Sequence, residues 1–291
     1  MREGRSTNFY LLATFFVAYV FFLYGPMIAI FILSFQGPKG GLTFPMNGFS
    51  LHWFAKLFSG NGIVDLGSAF RRSLSLGLIV MILTVIISVS AGLAFRKKFW
   101  GAGALFYAAI ASLIVPSIVT SLGIALEFRV MDDVARNTLF PRWDTGMGLF
   151  TSGLGAHLSW TLPFGLLIMF AIFNRFDGRL EEAAHDLGAT PWQTFAHVIL
   201  PMILPSVIGI GLFGFTLSWD ELARSSQAIG PVNTLPLELQ GLTTTVTNPD
   251  IYALGTVISA VSFLVISLAL TSIIILQKRR SRLGSDAGKG M

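Results

Sequence analysis

Cysteine is absent from the 291 residues, and charge is scarce. The first absence excludes disulfides, thiolate metal sites and a cysteine nucleophile, and it leaves no mark of redox compartment. Only 12% of the residues are charged, against roughly 25% in ordinary soluble domains. With 53% hydrophobic residues and a mean hydropathy of +0.71, the chain reads as an integral membrane protein. Its net charge of +5 would point to nucleic acid in a soluble protein; here it serves as a topology signal, and no nucleic-acid partner is expected. The histidines His52, His157, His185 and His197 are scattered without the neighbours of a metal site. A structural role is expected of each, and no metal. There is no G-x-x-x-x-G-K-[ST] loop to cradle nucleotide phosphates, and no internal repeat, low-complexity tract or soluble domain.

What is present is a series of apolar runs long enough to cross a bilayer, which takes about 20 residues each. They cover residues 9–35, 73–95, 102–126, 149–173, 199–219 and 251–276. The expected fold is therefore all-α, six transmembrane helices forming a single transmembrane domain over 1–291. The first run is too long for the core of a cleavable signal and lacks a small-residue cleavage site, so it reads as a retained anchor, bent at Gly25-Pro26. Basic residues collect on cytoplasmic segments. The dense clusters Arg96-Lys97-Lys98, Arg175 with Arg179, and Lys278-Arg279-Arg280 with Arg282 all fall on one side of the six-span scheme. That side is assigned to the cytoplasm, together with both termini and the 174–198 loop. The tail after Leu276 reads as a basic membrane-edge segment.

The loop is organised. In LEEAAHDLGATPWQTFAHVILP, residues 180–201, Leu180, Ala183, Ala184 and Leu187 recur at helical spacing and make one apolar face, with Glu181, Glu182, His185 and Asp186 around the remainder. Gly188 suits the position where that helix stops. Thr190-Pro191 supplies an N-cap and a first-turn proline for a second short helix, and Leu200-Pro201 marks entry into the next span. Such a helix-turn-helix on the cytoplasmic face of a membrane protein looks like a docking element.

At these residues the chain resembles a known family. Glu182-Ala183-Ala184, three residues, Gly188, nine residues, Val198, one residue and Leu200-Pro201 match the EAA loop of bacterial ABC-importer permeases, written EAA-x3-G-x9-I-x-LP, with valine in place of isoleucine. FTLSWDELARSS and NTLPLELQGL further resemble the polyamine branch. The resemblance implies a type I ABC-importer permease fold in the bacterial inner membrane. It implies that Glu181, Glu182, Ala183, Ala184, Asp186, Leu187, Gly188, Ala189, Pro191, Leu200 and Pro201 form the seat of a separate ATPase subunit. The implied assembly adds a second permease, homologous or identical, two ATPase subunits and a periplasmic or lipid-anchored binding protein. No cofactor is expected on this chain; ATP and Mg belong to the ATPase, and no catalytic site is expected here. The implied cargo is a polyamine such as spermidine or putrescine, with an opine, an aminophosphonate or another small organic solute as the alternative.

Gly209-Ile210-Gly211-Leu212-Phe213-Gly214 reads G-x-G-x-x-G, but inside an apolar run it lacks the strand and acidic residue of a dinucleotide site. Gly211, Gly214 and Ser218 instead make a small-residue face for close helix packing. Counting from Ile199, about 21 residues at 1.5 Å each bring Asp220 and Glu221 to the outer surface, beside Trp219 as an interface anchor. On the residues alone the pair is a solvated helix end or a functional site; the family resemblance implies a vestibule for a cationic amine. Residues 127–144 read as a mixed-charge surface, either solvated or meeting a binding protein, and LPLELQGL as a short helix tucked toward a pore. A stand-alone secondary carrier would carry ionisable residues within its spans, and an intramembrane enzyme would need convergent polar groups at depth; neither pattern is found.

Overall fold

The computed structural model describes residues 7–59, 66–138, 141–245 and 248–287. Its helices, in chain order, are α1 (Thr7–Leu33), α2 (His52–Phe58), α3 (Leu66–Phe95), α4 (Ala102–Ala111), α5 (Ser117–Thr138), α6 (Leu154–Phe173), α7 (Arg179–Asp186), α8 (Pro191–Thr194), α9 (Leu200–Trp219), α10 (Ser225–Ala228), α11 (Leu235–Thr245) and α12 (Asp250–Ala287). Extended pairing among the described residues is confined to one isolated bridge, Gln36 to Phe49. Among the described residues, five stretches are long and apolar enough to span a bilayer: Thr7–Leu33, Leu66–Phe95, Leu149–Phe173, Pro191–Trp219 and Asp250–Leu276. They match five of the expected runs, and α1 continues through Pro26.

The remaining run, 102–126, is not one helix. It divides into α4 and α5 around Ser112–Pro116. Pro116 has no N–H to donate and disfavours helical backbone at the residue before it. The chain restarts one residue later, where Thr120 N–H bonds the Pro116 carbonyl at 3.1 Å. At the loop's end α9 begins at Leu200-Pro201, where entry into the span is expected, and α8 reaches it through a wide π-type turn at Phe195–Ile199. Pro201 offers no hydrogen bond to the carbonyl four residues back, and its ring crowds that carbonyl. A turn widened just before it accommodates both effects.

The chain divides into two compact units. One comprises the residues up to Gly67 with Glu238–Val261. Here the segment after α1 is held by Gln36, which is fully buried: its Nε2 donates to the Gly41 carbonyl at 3.2 Å and its Oε1 accepts from Asn47 N–H at 2.7 Å. Lys56 of α2 pairs with Asp250 at 2.8 Å, and Tyr252 donates its hydroxyl proton to the Leu42 carbonyl at 2.7 Å.

The other unit comprises Ser68–Leu237 and the chain from Ser262 onward. Its centre is the packing of α3, α6 and α9. Val89, Met169, Phe173, Ile199, Ile203 and Ile210 form a buried cluster near the loop end, and the Thr84 and Thr161 hydroxyls meet at 2.7 Å further along. Small residues set the spacing. A Cβ on Gly92 would fall 2.8 Å from Met169 Cβ, and one on Gly214 would fall 3.1 Å from Met81 Cα. Gly214 and Gly211 thus face α3, as their spacing with Ser218 predicts.

Candidate functional site

α7 begins under the carboxylate of Asp177, whose Oδ1 accepts from Arg179 N–H at 3.1 Å. Glu181 and Glu182 occupy its first turn, where negative charge complements the helix dipole. It ends in a Schellman motif. Gly188 N–H donates to the His185 carbonyl at 2.8 Å, Ala189 N–H donates to the Ala184 carbonyl at 3.0 Å, and Gly188 takes φ +82°. A Cβ at Gly188 would meet nothing within 4 Å, so the demand for glycine is conformational, not steric. Thr190 then caps α8 through a capping box. Gln193 N–H donates to Thr190 Oγ1 at 3.3 Å, and Thr190 N–H donates to Gln193 Oε1 at 2.8 Å. The reciprocal partner, Gln193, goes beyond the Thr190-Pro191 signal read in the sequence.

The apolar face of α7 divides. Ala184 is buried against the chain, whereas Leu180 is 41% and Leu187 89% exposed, and Trp192 on α8 is 72% exposed. Ala183, Glu182 and Asp186 are exposed as well. Glu181 turns inward and forms an ion pair with Arg96, just past the end of α3. The guanidinium lies 5.1 Å from the ring centres of both Phe173 and Phe176, a cation–π arrangement. Sequence reasoning had used Arg96 only for topology. Its signal was a basic residue ending one run opposite a glutamate in the loop.

Trp219, Asp220 and Glu221 lie at the far end of α9, about 30 Å from Leu200 at 1.5 Å per residue, so the loop residues and the acidic pair form separate sites. Trp219 is not an interface anchor. It is 1% exposed, stacked on Phe215 with centroids 5.6 Å apart and edge-on to Phe70, because packing against α3 holds it inside. Asp220 is exposed at the helix end, and partial burial raises its carboxyl above the ordinary value. Glu221 is committed locally. Its Oε1 accepts from Arg224 N–H at 2.9 Å and its carbonyl accepts from the Ser225 hydroxyl at 2.7 Å.

Behind this pair is a buried polar cluster that sequence reasoning missed. His157 on α6 meets Ser218 at Nδ1 (2.8 Å) and Ser225 at Nε2 (2.9 Å). The Ser225 proton goes to the Glu221 carbonyl, so Nε2 is assigned as the donor and Nδ1 as the acceptor. Arg224, within FTLSWDELARSS, has a fully buried side chain. It stacks 4.9 Å over Trp160, donates to the Ser159 hydroxyl, and its carbonyl accepts from Ser121 at 2.7 Å. The available signal was serine recurring in apolar runs, at 112, 121, 159 and 218. Asp132 is likewise no surface charge. It is 4% exposed and accepts from Trp143 Nε1, the Thr145 hydroxyl and Gly146 N–H at 2.9, 2.6 and 2.6 Å. Among the described residues no group of three His, Asp or Glu is placed to hold a metal ion.

Spanning helices joined across a capped helix-turn-helix define a membrane permease of the ABC-importer class. Residues 84–282 match the family described as binding-protein-dependent transport system inner membrane component, and the chain belongs to that family. It is 30% identical over 240 residues to the Putrescine transport system permease protein PotI of Escherichia coli (strain K12), covering 81% of each chain. It is 31% identical over 258 residues to the Spermidine/putrescine transport system permease protein PotC of Haemophilus influenzae, covering 88% of this chain and 91% of that one. A solved bacterial ABC transporter involved in the import of the acidic polysaccharide alginate contains a chain of the same fold, with a TM-score of 0.63 over 94% of each chain at 16% identity.

Proposed function

We propose that this permease carries a polyamine, such as spermidine or putrescine, and that α7, Gly188 and α8 seat the ATPase subunit that drives it. The observation that carries the coupling reading is the exposed apolar pair Leu187 and Trp192, 89% and 72% exposed on either side of Gly188. In a cytoplasmic loop such side chains need a protein partner to leave water. The cargo reading is supported by relatives named for putrescine and spermidine/putrescine and by the exposed carboxylate of Asp220 at the other end of α9.

In the assembly we envisage two permeases, two ATPase subunits holding ATP and Mg, and an extracytoplasmic binding protein. Closure of the ATPase pair displaces the coupling helices, the spans open outward to receive cargo, and hydrolysis resets them. This chain performs no covalent chemistry. The concentration of basic residues on one set of loops supports cytoplasmic termini in the inner membrane. Cysteines introduced at Ser59 and Thr138 should then react with an impermeant maleimide from outside cells stripped of their outer membrane, and one at Thr190 should not. Outside labelling at Thr190 would overturn the coupling reading. For the cargo, the ligand retained by the binding protein encoded beside this chain is expected to be a polyamine; a neutral or anionic ligand would replace that assignment.

A further inference from the structure

α7 is held by the short link from α6, by the turn into α8 and α9, and by the burial of Ala184. A further attachment, to α3, is made by charged side chains. Arg96 projects from the end of α3 over the rings of Phe173 and Phe176, at 5.1 Å from each, and closes on Glu181. The two ion-paired side chains are only 25% and 23% exposed, so water and salt screen the pair less than they would an open surface bridge. A planar guanidinium can stack and pair at once, which a lysine ammonium does less well. Neighbouring Glu182 is exposed and available to a partner, so the two consecutive glutamates face different tasks.

We propose that Arg96 and Glu181 are positioning residues for transport: the pair fastens the coupling helix to α3, so that displacement of α7 is delivered to α3 directly and not only along the chain to α6 and α9. This rests on the reading of α7 as the ATPase seat. Without the pair, the ATPase still docks on the face formed by Leu187 and Trp192 and still hydrolyses ATP, but α3 loses its direct link to α7 and follows only through its packing on α6 and α9.

The test uses the complete complex in proteoliposomes with its binding protein and the ligand that protein retains, so a wrong cargo assignment does not alter the outcome. Retained ATPase subunit, basal hydrolysis and uptake are measured for Arg96→Gln, Glu181→Gln, Arg96→Glu, the exchange Arg96→Glu with Glu181→Arg, and Lys97→Gln. Each change at Arg96 alone, outside the seat, is expected to leave ATPase retention and basal hydrolysis near wild type while uptake falls about fivefold, the scale of a partly buried pair with its aromatic contacts, and Glu181→Gln is expected to lower uptake to the same extent. The exchange should recover most of the loss caused by Arg96→Glu, and Lys97→Gln should transport normally. Wild-type uptake in the single variants, no recovery in the exchange, or an equal loss in Lys97→Gln would overturn the proposal. If Gly188→Val, tested alongside, keeps its ATPase subunit and transports normally, the reading of the seat fails instead.

Discussion

Ala189 donates its backbone N–H to the carbonyl of Ala184 across 3.0 Å, and that bond closes only because Gly188 between them stands at φ +82°. An L-residue in this conformation costs about 1–2 kcal/mol. Gly188→Val should therefore misdirect α8 while leaving the membrane spans folded, and ATPase subunit recovered with the purified permease should drop. Since the space around Gly188 is open, Gly188→Asn, which tolerates left-handed backbone, should retain more ATPase than Gly188→Val. Equal retention in the two variants would contradict a conformational cause.

Asp220 and Glu221 are adjacent in sequence but have different surroundings, so their neutral analogues should behave differently. Asp220→Asn is expected to lower radiolabelled polyamine uptake about tenfold, or about 1.4 kcal/mol in a transition-state difference, with assembly unchanged. Because partial burial raises its pKa, Asp220 loses charge, and its attraction for a cation, as pH falls toward a value above that of a free aspartate. The uptake ratio of wild type to Asp220→Asn should shrink over that descent. Glu221→Gln weakens acceptance from Arg224 N–H and should act mainly on the yield of folded complex. Unchanged uptake in Asp220→Asn would return the residue to an ordinary helix end.

Replacing His157 by phenylalanine would leave the Ser218 and Ser225 hydroxyls without their ring partners in a buried place. The cost is about 1–3 kcal/mol for an unsatisfied buried group. The expected readout is a lowered thermal midpoint of the detergent-solubilised protein, with less change in His157→Gln, which keeps a donor and an acceptor. Identical midpoints for wild type and His157→Phe would show that the cluster adds nothing to stability.

Asp132 lies in the last turns of α5, beyond the apolar stretch ending at Leu126. Bonds from the Thr145 hydroxyl, then Trp143, hold its carboxyl below the ordinary value. A carboxylate with a lowered folded pKa contributes stability that is fully present above its unfolded value of about 3.9 and is lost as pH falls through the lower one. Protease resistance of residues 141–148 should therefore be flat from neutral pH down to about 4 and decline only below it. In Asp132→Asn that acid-dependent loss should be much reduced. A decline already under way well above that range would assign the loop's order to other groups.

Most of the helical architecture was legible because bilayer length and loop chemistry are local properties. Gly188 and Thr190-Pro191 declare a helix end and a helix start within a few residues, and the structure realises both. The break in the 102–126 run was legible in principle at Pro116, but mean hydropathy outweighed one proline. What could not be read locally were pairings across the chain. Arg224 with Ser159, His157 with Ser218, and Arg96 with Glu181 lie 65, 61 and 85 positions apart. Trp219 misled for the same reason: a tryptophan at a span end suits an interface, and only Phe70 and Phe215 beside it make it part of the interior.

The passage of α8 into α9 through the widened turn has a mechanical consequence. From Pro191 to Trp219 the backbone is 29 residues of helix without a break, about 43 Å at 1.5 Å per residue. A rod of that length acts as a lever arm. If it moves as one body, a tilt of about 5° imposed at its loop end would carry the opposite end through about 4 Å on that same rise, roughly the width of one methylene chain. The stroke available to Asp220 would then be set by the angle through which Pro191 is pushed, and anything that bends the rod at Phe195–Ile199 would shorten it.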